Sequence, residues 1–132
     1  GSLRDAILSE AEDLGVTDRI MLIGGRSDAP RLYSAFDAFL LPSLFEGLPV
    51  SAVEAQVSGL PCLLADTVTS EVAFGACRFL PNNDAGAWAE AVCGLDAVAD
   101  RSRGPELARA AGFDIRVEAQ RLEQHYREIL GR

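Results

Sequence analysis

The sequence contains no lysine; its twelve basic residues are all arginine, set against twenty acidic ones for a formal net charge of −8. Phosphate backbones and anionic bilayers are gripped by clustered positive charge, so this balance argues against a nucleic-acid surface or a polybasic membrane patch. Histidine occurs once, as His125 in a polar stretch near the end. That leaves no credible partner for a cysteine nucleophile. Cys62, Cys77 and Cys93 show no CxxC pairing. Neither a zinc ribbon nor a disulfide framework is expected, and the three read as small buried apolar residues in a reducing compartment. Also absent are a charged-then-apolar leader and any apolar run near the roughly 18 residues that span a bilayer. Gly1 and Ser2 have the composition of a cloning remnant and carry no part of the reading.

What is present fits one domain over residues 1–132. The composition, 48% hydrophobic and 24% charged, is globular, and a chain near this length buries roughly two-thirds of its unfolded surface. Leu3, Ile7, Ala11 and Leu14 recur at helical spacing, with Gly15 placed for a left-handed cap. "RIMLIGG" predicts a short buried strand over 20–24, and "SDAPRLYSAF" a short helix opened by an N-cap and a proline. The unbroken apolar run of "DAFLLPS" predicts a strand buried on both faces, stopped at Pro42 for want of an amide donor. A helix from Pro49 to about Gly59 follows, then strands in "PCLLAD" and "CRFLP". Asp84 caps a helix marked by Ala85, Trp88, Val92 and Leu95. After the turn "DRSRGP" come a short helix over Pro105–Ala111 and a last one opened by Asp114, with Ile115, Ala119, Leu122, Tyr126, Ile129 and Leu130 on one stripe. Such alternation implies a Rossmann-like, doubly wound parallel α/β sheet, with ligands beyond the carboxyl ends of the strands near loops 42–49 and 66–71.

Two acidic residues, Glu46 and Glu54, interrupt the apolar block "LLPSLFEGLPVSAVEAQVSGLPCLLAD". A strand ending at Ser43, the loop "LFEG" and a helix starting at Pro49 bring the amides of Val50, Ser51 and Ala52 to the rim. Amides in a first helical turn lack intrahelical acceptors and carry about half a unit of positive charge, which suits a phosphate. Gly47 clears the approach, and Pro49 fixes the helix start without using up a donor. A carboxylate accepts two hydroxyl hydrogen bonds, a common grip on sugars and riboses, so the expected ligand is a nucleotide-sugar. Spacing alone leaves a plainer reading open, with Glu54 capping a turn or pairing an arginine and Glu46 a solvated loop acid.

The longer string "DRIMLIGGRSDAPRLYSAFDAFLLPSLFEGLPVSAVEAQVSGLPCLLAD" resembles the C-terminal, donor-binding domain of retaining GT-B glycosyltransferases of family 4. "LIGG", "YSAFDAFLLPS", the Glu-x7-Glu motif of Glu46 and Glu54 and "GLPCLLAD" carry the likeness, which continues weakly through "RFLPNNDAGAWAEAV" to the final helix. The resemblance implies that Glu46 lies beside the transferred sugar and Glu54 binds the ribose hydroxyls. It also implies that the backbone from Leu48 through Pro49 and Val50 to Ser51, next to Gly47, holds the diphosphate, and that Gly25 and Arg26 line the base pocket. The implied reaction is hexosyl transfer with retention at the anomeric carbon, through an oxocarbenium-like state, with no divalent metal and no cofactor beyond the nucleotide-sugar substrate. The implied acceptor is a glycan or lipid-linked molecule of a bacterial surface polysaccharide. The implied location is cytoplasmic, with peripheral attachment at the inner face of the plasma membrane left to a missing half.

Departures from the family are specific. Its "EGFG" is "EGLP" here, a stiffer loop, and its glycine pair after Asp66 is "TVTSE", reminiscent of the capsular and exopolysaccharide branch, with Thr67 and Thr69 as substitute donors. The family's domain also begins with two further strands, carrying an Arg and a Lys, that fall between the strands at 20–24 and 37–41, and an N-terminal domain binds the acceptor. Neither segment is in this sequence. The expectation is therefore an N-terminally truncated donor domain, catalytically silent alone, that either rejoins 20–24 to 37–41 or exposes apolar edges that drive self-association. Two other readings stand beside it. A nucleotide-sugar 2-epimerase shares the architecture but not this motif string, and a nonenzymatic α/β module would bind a nucleotide, or a partner through its last helix.

Overall fold

A computed structural model describes residues 3–96 and 100–131; the reading of Gly1 and Ser2 falls outside them. Three parallel strands lie in the order β1-β2-β3, with β1 Phe39–Leu41, β2 Cys62–Ala65 and β3 Cys77–Leu80. The helices are α1 Arg4–Asp13, α2 Ala29–Leu32 with a 3-10 turn over Tyr33–Ala35, α3 Val50–Val57, α4 Ala85–Cys93, α5 Gly104–Ala110 and α6 Ile115–Leu130. β2 is the central strand and all four of its residues are buried, as the unbroken apolar "CLLA" requires. Leu60, Leu63, Leu64, Val72, Leu80 and Trp88 fill the core with Ala52 and Ala55 of α3. This is the parallel α/β class that the strand-helix alternation implies.

Local chemistry sets most helix ends. Asp84 Oδ1 accepts from the Ala87 amide at 2.9 Å and Asp114 Oδ1 from the Arg116 amide at 3.0 Å, so both aspartates cap as their positions predict. α3 ends in a Schellman turn: the Gly59 amide donates to Gln56 O at 2.9 Å and the Leu60 amide to Ala55 O at 3.0 Å, with Gly59 at φ 73°. α5 packs on α3 through Gly104, where any Cβ would run into the carbonyl oxygens of Gln56 and Val57.

Several expectations change. Of the three cysteines read as buried, only Cys62 is; Cys77 is half-buried and Cys93 exposed. Residues 20–24 form no strand. Ile20 is extended (φ −112°, ψ 127°), yet among the described residues no strand pairs with the segment, and Met21 is 83% exposed. A strand exists through its ladder, and none reaches these backbone groups. β1 is consequently an edge strand rather than one buried on both faces, with Leu40 exposed. Direct rejoining of 20–24 to 37–41 does not occur; the apolar edge stands open instead. Finally, the stripes of α1 and α6 are largely unburied: only Ala11 of α1 is buried, and no residue of α6 is.

Gln56 is the one buried polar side chain among the described residues, and its amide is fully used. Nε2 donates to Ala52 O at 3.0 Å and Val72 O at 2.9 Å, while Oε1 accepts from the amides of Phe74 and Gly75, both at 2.9 Å. It fastens α3 to the segment between β2 and β3. Gln56→Leu, of similar volume, strands the Val72 carbonyl and the Phe74 amide, a loss of about 2–4 kcal/mol. Urea denaturation checks this; an unchanged midpoint would show that the amide does not hold the segment in solution.

Candidate functional site

The carboxyl end of β1 leads through Pro42 and Ser43 into the loop that carries Glu46, and thence to α3. Pro49 is buried and extended (φ −71°, ψ 107°) at the N-cap position, and no side chain caps the helix there. The first amide to turn back is that of Ala52, onto Pro49 O at 3.0 Å. The donors of Val50 and Ser51 therefore precede the ladder at an uncapped helix end, where the macrodipole is positive.

Glu46 is half-buried, and its Oε1 accepts from the Ser43 hydroxyl at 2.7 Å. The Thr67 hydroxyl donates to Ser43 O at 2.7 Å, tying the loop after β2 to the loop after β1. Thr67 thus commits its hydrogen within the protein, and Thr69 Oγ1 accepts from the Glu71 amide at 3.4 Å to cap the turn Ser70–Val72. The two threonines serve the loops' own structure here. A Cβ added at Gly47 would meet no atom within 4 Å, so packing gives no reason for a glycine. Leu44, Phe45, Leu48 and Val50 expose an apolar rim around this loop.

Glu54, in the second turn of α3, is half-buried and accepts the Tyr33 hydroxyl on Oε2 at 3.1 Å. Burial first, then the Glu54 carboxylate, pushes the Tyr33 phenol above its ordinary range, so Tyr33 remains a donor at neutral pH. Tyr33 also walls a cavity of about 200 Å³ with Ile23, Arg26, Leu32, Phe36 and Phe39. Arg26 accordingly lies on a pocket that adjoins Glu54's partner, whereas Gly25 is exposed and is not part of that wall. The Arg26 guanidinium is bound bidentately by Asp28, Nε to Oδ1 and Nη2 to Oδ2, each at 2.7 Å. Asp28 consequently makes no side-chain cap on α2. Tyr33 and Ser43, the residues that orient the glutamates, escape sequence reasoning; Tyr33 lies 21 positions from Glu54, and nothing local signals the contact. Among the described residues no group of three or more His, Cys, Asp or Glu could hold a metal ion, and no helix is long and apolar enough to cross a membrane.

Residues 1–97 match the family model described as "Glycosyl transferases group 1", and the chain belongs to that family. It is 37% identical over 95 residues to EpsF of Bacillus subtilis (strain 168), covering 70% of this chain and 25% of that protein. It is 44% identical over 54 residues to the UDP-Gal:alpha-D-GlcNAc-diphosphoundecaprenol alpha-1,3-galactosyltransferase of Escherichia coli, covering 41% of this chain and 14% of the enzyme. The chain thus spans a quarter or less of these two curated relatives. Its fold superposes on sucrose-phosphate synthase from Thermosynechococcus elongatus with a TM-score of 0.79 at 24% identity, covering 99% of this chain and 35% of that one. The architecture is that of a GT-B glycosyltransferase fragment.

The Tyr33–Glu54 contact predicts energetic coupling. A double-mutant cycle of Tyr33→Phe and Glu54→Ala, read by urea denaturation, should return about 1 kcal/mol. Additive effects would mean that the two side chains do not meet in solution.

Proposed function

We propose that this chain is the donor-binding part of a retaining glycosyltransferase of family 4. In this reading the natural polypeptide transfers a hexosyl group from a nucleoside-diphosphate sugar to a glycan or lipid-linked acceptor. The observation that carries the proposal is the uncapped start of α3 with a half-buried glutamate on each side, Glu46 before it and Glu54 within it. Membership of the glycosyl transferases group 1 family supports it, and so does a relative whose name specifies a UDP-sugar donor and a diphosphoundecaprenol acceptor.

Each group has a task. The amides of Val50 and Ser51, with the backbone of Leu48 and Pro49, face the diphosphate and stabilise the charge that accumulates on the leaving group. Gly47 admits the donor sugar to van der Waals distance of the loop. Glu46, oriented by Ser43, accepts from sugar hydroxyls beside the anomeric carbon. Glu54 keeps Oε1 for the ribose hydroxyls while Tyr33 holds Oε2. Arg26, steadied by Asp28, borders the base. The reading needs no metal, because the helix start supplies the positive potential. It places the enzyme in the cytoplasm, with or without peripheral attachment to the inner face of the membrane, in assembly of a surface polysaccharide.

The test is donor consumption by the full natural polypeptide that carries this chain, across a panel of UDP-, GDP- and ADP-sugars. One donor should be turned over with anomeric retention. Glu54→Ala should weaken nucleotide binding about 10- to 100-fold, and Glu46→Ala should lower turnover at least as much while leaving nucleotide affinity nearly intact. Folded variants that match wild type would return both glutamates to a structural role.

The open edge of β1 and the unpaired 20–24 segment make the 132-residue chain prone to associate with itself. Sedimentation velocity should show concentration-dependent oligomers, suppressed by Leu40→Lys. A monodisperse monomer at about 100 μM would count against an adhesive edge.

A further inference from the structure

Cys62 and Cys77 open adjacent parallel strands and stand directly opposite one another in the β2-β3 register. Opposed residues of paired strands point to the same face, with backbones about 4.8 Å apart. That separation lies inside the roughly 4.4–6.8 Å between α-carbons that a disulfide tolerates. Both thiols are free. Cys62 is fully buried, its thiol donating to Leu60 O at 3.5 Å, and Cys77 is half-buried. A crevice of about 360 Å³, bordered by Pro61, Ala76, Arg78, Ala91 and Leu95, reaches both. The sequence separates the pair by fifteen positions and gives no CxxC signature.

We propose that Cys62 and Cys77 form a dithiol modification site that closes reversibly to an intramolecular disulfide under mild peroxide. The site lies at the start of the strands, opposite the rim that carries Glu46, and is independent of the proposed donor site. The roles of the two thiols differ. The neighbouring Cys62 thiol holds Cys77 below the ordinary thiol range against its partial burial, whereas the Cys77 sulfur first and burial second push Cys62 up. Cys77, half-buried and open to the crevice, is the attacking sulfur, and fully buried Cys62 is the resolving thiol. The Cys77 sulfur displaces hydroxide from hydrogen peroxide and becomes a sulfenic acid, a two-electron oxidation that reduces the peroxide. The Cys62 sulfur then attacks the sulfenic sulfur, forming the S–S bond and releasing water with the Cys62 proton. Bridging adjacent strands must draw the two β-carbons together, and the resulting strain makes the bond easy to reduce, the behaviour of labile disulfides in reducing compartments.

The chain has no lysine, and no arginine lies between Arg31 and Arg78, so trypsin leaves both thiols in one peptide, 32–78. In Cys93→Ser, which removes the exposed third thiol, stoichiometric peroxide should reduce the mass of this peptide by about 2 Da and block its alkylation, and dithiothreitol should reverse both. Cys62→Ala should instead give the chain a sulfenic acid at Cys77 that a dimedone probe captures. The proposal is overturned if peroxide leaves both thiols of Cys93→Ser alkylatable, or yields only oxygen additions or disulfides between chains.

Discussion

Nearly everything about the site depends on where α3 is held, and the carboxamide of Gln56 is the principal tether. An eight-residue helix does not persist in water alone, since nucleation outweighs the few bonds it can form. Gln56 supplies four hydrogen bonds from one buried side chain, reaching its own helix and three backbone groups between β2 and β3. Two close approaches complete the seating. Ala52 and Ala55 lie in the core without standing the helix away from it, and Gly104 lets α5 press against the carbonyl end of α3. Because the helix start is the candidate anion site, a core amide more than a turn away determines where that site points.

Around the helix start, each carboxylate is oriented by a different part of the chain. Glu46 is held through Ser43, whose carbonyl is in turn held by Thr67 after β2. Glu54 is held by Tyr33, from the helical segment before β1. Each glutamate therefore has one oxygen engaged by the protein, and among the described residues its other oxygen takes no hydrogen bond. The apolar side chains of Leu44, Phe45 and Leu48 around them leave the loop poor in competing polar groups.

Several features were legible beforehand because they rest on neighbours in the chain. The apolar "CLLA" had to be a buried strand, Asp84 and Asp114 had to cap, and Pro49 and Gly59 had to bracket α3. The failures share a cause. Apolar residues at 20–24, along "AFLL" and on the stripes of α1 and α6 report which face would be buried, but burial needs a second surface. Met21, Leu40 and Leu122 are exposed because no described element of this chain reaches them.

By itself the sequence determined the α/β class, the order of the elements except for 20–24, and the placement of Glu46 and Glu54 around a helix start. All of these follow from short-range patterns of apolar spacing, caps and breakers. Tertiary structure alone decided that Tyr33 meets Glu54, that Gln56 joins α3 to the segment after β2, and that Cys62 faces Cys77. Those contacts depend on strand register and helix seating, and both arise only when residues distant in the chain compete to bury the same surface.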